Sequence, residues 1–177
     1  MGASMQRRGI NATGLNDVLR EANAPKGVLY HHFPGGKTAL AVAAVNESIE
    51  ILVSKLNRAL DRGDDLFDAL AGWVERAADA LRATEFSTGC PLATVALETT
   101  PADIELREAI DGGFARLREV IAAGLERAGH STSDAERMAF TIIATYEGGL
   151  LQARVSGQIE PMVESCHFVL ELMRARA

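Results

Sequence analysis

Lys26, Gly27, Tyr30, His31 and His32 lie in a short stretch, GVLYHHF and its preceding lysine, whose packing needs are met by Val28, Leu29 and Phe33. The other five are left for binding. Lys26 can donate to guanine O6 or N7, and Gly27 lets a partner come close. His31 either reads a base edge or stands idle in solvent. Catalysis is the competing chemistry, and the sequence offers it little. No nucleophile, base and orienting acid form a recognisable motif, no metal-ligand spacing occurs, and no glycine-rich loop follows a strand. His31 and His32 make a poor chelate, because neighbours on a helix point about 100° apart. The chain is therefore expected not to be an enzyme, with no cofactor and no metal.

The elements that position these residues are two short helices. Thr13 is a candidate N-cap, and Leu15, Val18, Leu19 and Ala22 follow at helical spacing, giving residues 14 to 22 one apolar face. Asn23 and Ala24 then precede Pro25, whose ring disfavours helix in the residue before it and suits the first position of a new helix. That second helix, Pro25 to about His32, is the size that enters a DNA major groove, and the pair reads as a helix-turn-helix. Pro25, Lys26, Gly27 and His31 fall on its exposed face as candidates for base edges.

The run GVLYHHF, then Pro34-Gly35-Gly36, then Lys37-Thr38-Ala39-Leu40, resembles the signature of the TetR family of transcriptional repressors. With Gly89-Cys90-Pro91-Leu92 it is similar to the LmrA/YxaF-like branch of that family. The resemblance covers about 30 residues of signature, and beyond them it is a helix pattern. It implies that Thr13, Tyr30, His32 and Lys37 contact phosphates, which fix register without reading sequence. It also implies a homodimer, a small-molecule effector, and a switching role for a sixth helix lying between the ligand pocket and the linker helix.

Charge is divided unevenly. The 177 residues carry a net −6, yet residues 1 to 40 hold five Lys and Arg against two acids, a local +3 that leaves −9 for the rest. A basic end on an acidic body suits a protein that meets phosphates with one module. No apolar run approaches the length needed to cross a bilayer and no signal-peptide pattern opens the chain, so a cytoplasmic protein without membrane contact is expected. Cys90 and Cys166 stand far apart in sequence, which argues against a disulfide framework or zinc site. A buried, inert thiol is the expected state of Cys90.

The remaining sequence reads as all-α. A long fourth helix from Lys37 to Asp61 buries Val45, Ile49, Leu52, Leu56 and Leu60, and Gly63 stops it. Asp64 or Asp65 opens the fifth, with Leu66, Leu70, Trp73, Ala77 and Leu81 on one side. A short helix, Leu92 to Glu98, follows the Gly89-Pro91 break. Thr100-Pro101 is expected to start the seventh helix, and Ser133 to Glu136 to cap the eighth. From Met138 to Val155 that eighth helix is apolar nearly all round, so it should face both its own core and a second subunit, with Gly148, Gly149 and Ala153 admitting the partner's backbone. The last helix, from Pro161, carries Met162, Cys166, Val169, Leu170 and Met173. These two helices are expected to form the homodimer.

The division expected is a head, residues 1–43, and an effector-binding and dimerisation domain, residues 44–177. Trp73, Phe86, Cys90, Leu92, Phe114, Phe140, Thr141 and Tyr146 are the expected lining for a small, mainly hydrophobic effector, with core filling the other reading of Trp73. Glu147 either recognises a cationic or hydroxylated group or pairs with an arginine across the dimer. The function expected is a ligand-responsive repressor of double-stranded operator DNA. The alternative comes from the N-terminus: only Met1 to Arg8 precede the Gly9-Ile10-Asn11 turn, so the first helix is shortened to two turns at most. A head loosened by that loss would leave a dimeric ligand-binding protein.

Overall fold

The computed structural model describes residues 2–61 and 65–175. Among the described residues it holds nine helices and no strand: α1 Gly2–Arg8, α2 Leu15–Glu21, α3 Lys26–His32, α4 Gly36–Leu60, α5 Leu66–Ala83, α6 Pro91–Ala96, α7 Ile104–Arg127, α8 Thr132–Ser156 and α9 Glu160–Arg174. No helix among the described residues is long and apolar enough to cross a membrane. The expected stop of α4 at Gly63 lies outside the described residues.

The helices group into two compact units, neither contiguous in sequence. The first takes Met1–Glu50 and Cys90–Gly113, so it runs past residue 43 and gathers in α6 and the opening of α7. Its buried apolar side chains include Met5 from α1, Val18 and Leu19 from α2, Leu29 from α3, Ala41, Val45 and Ile49 from α4, and Leu92 and Val95 from α6. A Cβ on Gly113 would lie 2.6 Å from Ile49 Cδ1 and 2.7 Å from Leu92 Cδ2, so α4, α6 and α7 meet there at the closest approach a glycine allows.

The second unit, Ile51–Gly89 with Phe114–Ala177, packs α5 on α8 and α9. Gly149 is what lets α9 come so near α8. Its added Cβ would sit 2.8 Å from Met162 Cα and 3.1 Å from Pro161 O. Gly149 therefore serves the chain's own α9, and Ala153 is fully buried within the chain, while Gly148 has open space beside it.

The starts of α2, α8 and α7 differ from expectation, each for a local reason. Gly14, extended at φ −72° and ψ 134°, is the N-cap of α2, while Thr13 turns its hydroxyl back to donate to Gly9 O at 2.6 Å. The α8 cap is Ser131, two residues before Ser133, with its Oγ accepting from Asp134 N–H and donating to the Asp134 carboxylate at 2.8 Å. Thr100 does not open α7: its N–H and its hydroxyl both donate to Asp103 at 2.7 Å, folding a turn through Pro101 before the helix begins at Ile104.

Asp65 caps α5 by accepting from the N–H of Phe67 and Asp68, and Arg174 of α9 binds both Asp65 and Asp68 while lying over the Phe67 ring. The Arg174 hydrogen bond, aided by the two amides, holds the Asp65 carboxyl below its ordinary value of 3.8. A lowered folded-state value means that this stabilisation is complete above 3.8 and is lost as pH falls through the lower value. Melting curves taken across the acid range should thus lose part of their acid slope in Arg174→Ala. Removing the cap outright in Asp65→Ala should cost about 1 kcal/mol, or roughly 2–4 °C in Tm for a chain of this size.

Candidate nucleic-acid interface

The helix-turn-helix is built by three backbone bonds at its turn. Ala22 N–H donates to Val18 O, Asn23 N–H to Arg20 O and Ala24 N–H to Leu19 O. Asn23 stands at φ 49°, in the left-handed region that asparagine tolerates better than most side chains. The chain then leaves α2 with Pro25 in extended geometry, as the N-cap of α3 rather than its first helical residue. Burial of Val18, Leu19 and Leu29 pins the pair.

With Leu29 turned inward, α3 presents the rest of itself. Pro25, Lys26, Gly27, Tyr30, His31 and His32 are all exposed, and a Cβ on Gly27 would meet nothing within 4 Å. His31 and His32 touch edge to face at 5.1 Å between centroids, in an 80° arrangement. Tyr30 is 54% exposed and leans by the start of α4, where Gly36 at φ 63° makes the turn that no β-branched residue would. Lys37 is half-buried, and its Nζ donates to Asn11 O at 3.4 Å.

Thr13 has no exposed surface, and its hydroxyl donates to Gly9 O. Val28, expected in the core, is 46% exposed on the same surface as Lys26 and Gly27. The helix is too short for spacing to set its phase. Its phase follows from Leu29, and Val28 joins the surface as an apolar group able to touch a thymine methyl.

The expected effector-lining residues are dispersed. Trp73 and Tyr146 are both buried and stack face to face, centroids 4.3 Å apart and planes 22° apart. Phe86 and Phe114 are half-buried in the same unit, Phe86 at φ 57° in the turn that ends α5. Cys90 is the N-cap of α6 and Leu92 lies wholly inside the first unit. Burial drives the Cys166 thiol up to about 11. Phe140 and Thr141 are both exposed, Phe140 under the Arg118 guanidinium at 4.4 Å and Thr141 bonded to Arg137 O. Glu147 is half-buried.

Phe140 lies on an exposed stripe. Phe140, Ala144, Gly148, Leu151 and Val155 follow one another at three- and four-residue steps on α8, and Phe168 and Leu172 do so on α9. Val155 is 82% and Phe168 62% exposed, which is unusual for large apolar residues recurring in register.

Residues 3–44 match the family described as bacterial regulatory proteins, tetR family, and residues 67–165 match that described as transcriptional regulator LmrA/YxaF-like, C-terminal domain. The HTH-type transcriptional regulator LmrA of Bacillus subtilis is 31% identical over 169 residues, covering 96% of this chain and 90% of that protein. The uncharacterized HTH-type regulator YxaF of the same organism is 29% identical over 97% of this chain and 90% of its own length. Among solved structures, a TetR transcriptional regulator from Legionella pneumophila superposes with a TM-score of 0.84 at 21% identity, over 97% of this chain and 91% of that one.

Proposed function

Because the chain belongs to the TetR family of transcriptional regulators, in its LmrA/YxaF-like branch, we propose that it is a ligand-responsive repressor holding operator DNA as a homodimer. The observation that carries the DNA reading is α3, with Leu29 inside and Lys26, Gly27, Val28, Tyr30, His31 and His32 outside, on the basic end of an acidic chain. Lys26, Gly27, Val28 and His31 are assigned to base edges. Tyr30, His32 and Lys37 are assigned to phosphates. Residues 1–43 serve as the DNA-reading segment and 44–177 carry effector binding and dimerisation.

The exposed stripes on α8 and α9 support the dimer, since a second copy would cover apolar side chains now in water. The effector is a small hydrophobic molecule seated by Trp73 and Tyr146 with Phe86 and Phe114. As the two stacked rings already face each other, it would line their edges or part them. Glu147 pairs with a cation from the effector or the second subunit. Such a ligand represses binding by preferring the conformation whose heads are wrongly spaced. The chain has no part in catalysis, and it acts in the cytoplasm where operators are.

The alternative, a ligand-binding dimer with an impaired head, is disfavoured by the head's interior. Met5 of α1 is 2% exposed, and Val18, Leu19 and Leu29 are each buried. The test is anisotropy of a labelled duplex from the region upstream of the gene, against a scrambled duplex, as salt rises. The repressor prefers the upstream duplex and, making six to ten phosphate contacts, loses about 10³–10⁵ in affinity between roughly 50 and 200 mM salt. Equal affinity for both duplexes would refute it. Val28→Ser, removing two methyls from the base-reading surface, is expected to relax preference at one base pair per half-site, by about 1–3 kcal/mol, without changing the salt slope.

A further inference from the structure

We propose that Glu98 is a positioning residue for DNA binding, fastening the α1–α2 turn and, through the backbone of Asn11, setting the place of the Lys37 ammonium. The proposal rests on the operator-binding reading above and adds to it a residue outside the helix-turn-helix. Glu98 follows α6 by two residues, and its Oε2 accepts from Asn11 N–H at 2.7 Å across 87 positions of sequence. The carbonyl of the same Asn11 accepts from Lys37 Nζ at 3.4 Å. One backbone residue is thus held on one side by a carboxylate and holds a lysine on the other.

The turn is shaped around that carboxylate. Gly9 sits at φ 74°, and a Cβ there would fall 1.5 Å from Glu98 Oε1 and 2.4 Å from its carboxyl carbon. The acid fills the space of a side chain at position 9. Gly9 O in turn takes the Thr13 hydroxyl at 2.6 Å, Gly9 N–H donates to Met5 O, and Thr13 N–H donates to Ile10 O. Residues 9 to 13 are therefore fixed at both ends and, through Glu98, in the middle.

Satisfying an amide does not explain the acid. Asn11 is exposed, and water would serve its N–H as well. A carboxylate in a head that must approach phosphates also opposes binding by its charge. Its gain is geometric: an ammonium has three donors, so Lys37 keeps one on Asn11 O and offers two to a phosphate from a fixed place. A lysine so held loses less freedom on binding than one that must be ordered by the DNA.

The experiment is a double-mutant cycle on the full chain, read by affinity for the labelled upstream duplex and by its salt slope. Glu98→Ala should weaken binding about tenfold, the scale of one charge-assisted hydrogen bond, although it removes a negative charge. Lys37→Ala should weaken it similarly and lower the salt slope by about one. The double variant should be no weaker than Lys37→Ala alone, because each removes the same phosphate contact. Glu98→Gln, which keeps an acceptor oxygen and loses the charge, should stay within about twofold of wild type. Amide exchange at Asn11 should quicken in Glu98→Ala while far-ultraviolet melting stays put. Binding by Glu98→Ala as tight as wild type or tighter, or effects of the two single variants that multiply, would overturn the proposal. Wild-type chain that fails to prefer the upstream duplex would remove the operator reading and this role together, and it is seen before any variant is made.

Discussion

Leu151→Glu combined with Phe168→Glu is expected to yield a folded monomer that binds the operator at least about 100-fold more weakly than wild type. Leu151 is 53% and Phe168 62% exposed, so neither supports the fold of its own chain and the helical content should not change. Hot-spot residues at the centre of an interface cost about 2 kcal/mol or more each when lost, about thirtyfold apiece. Facing glutamates add repulsion that the two-fold axis doubles. Operator affinity falls with the dimer, because a single head reads too few bases for selectivity and two must act on one duplex. Sedimentation equilibrium and anisotropy on the same samples check both halves. A variant that remains a dimer would place the subunit interface elsewhere.

Trp73→Ala should be the most damaging single change inside the second unit. The indole is 6% exposed and stacks on Tyr146, joining α5 to α8. Truncating a buried tryptophan costs about 3–5 kcal/mol, and at roughly 2–4 °C per kcal/mol that is about 6–20 °C in Tm. Trp73→Phe keeps a stacked ring and should lose well under half of this. Trp73 is also the sole tryptophan, so its emission is a clean reporter. If a hydrophobic effector seats against the stacked pair, emission changes on titration in wild type and the same ligand raises Tm.

Much of this architecture was legible in the sequence because it rests on local rules. Long apolar stripes such as Val45, Ile49 and Leu56 set α4, and the break at Asn23 to Pro25 set the turn before α3. Caps were harder. Thr13 and Ser133 are chemically suitable N-caps, but which of several neighbouring hydroxyls serves depends on where the turn bends: Gly14 takes the extended geometry at one site, and Ser131 precedes Ser133 at the other. Val28 shows the limit of periodicity, since in a helix of seven residues one buried leucine decides the phase. In the mostly apolar α8 the residue types on its two faces look alike, and only packing separates the inner face, Ala139 and Ile143, from the outer one with Phe140. Glu98 had no local signal at all. Its partner lies 87 residues away, and only the paired demand of Gly9 for an empty Cβ position marks the contact.

The central claim is that two copies of α3 read successive major grooves from one homodimer. A hydroxyl-radical footprint of the full chain on its upstream region tests it most directly. The account predicts two protected half-sites on a two-fold symmetric sequence, their centres about 34–36 Å or a multiple apart, with two chains bound per duplex. A single unsymmetrical patch, or no protection at protein concentrations that saturate the dimer, would contradict it.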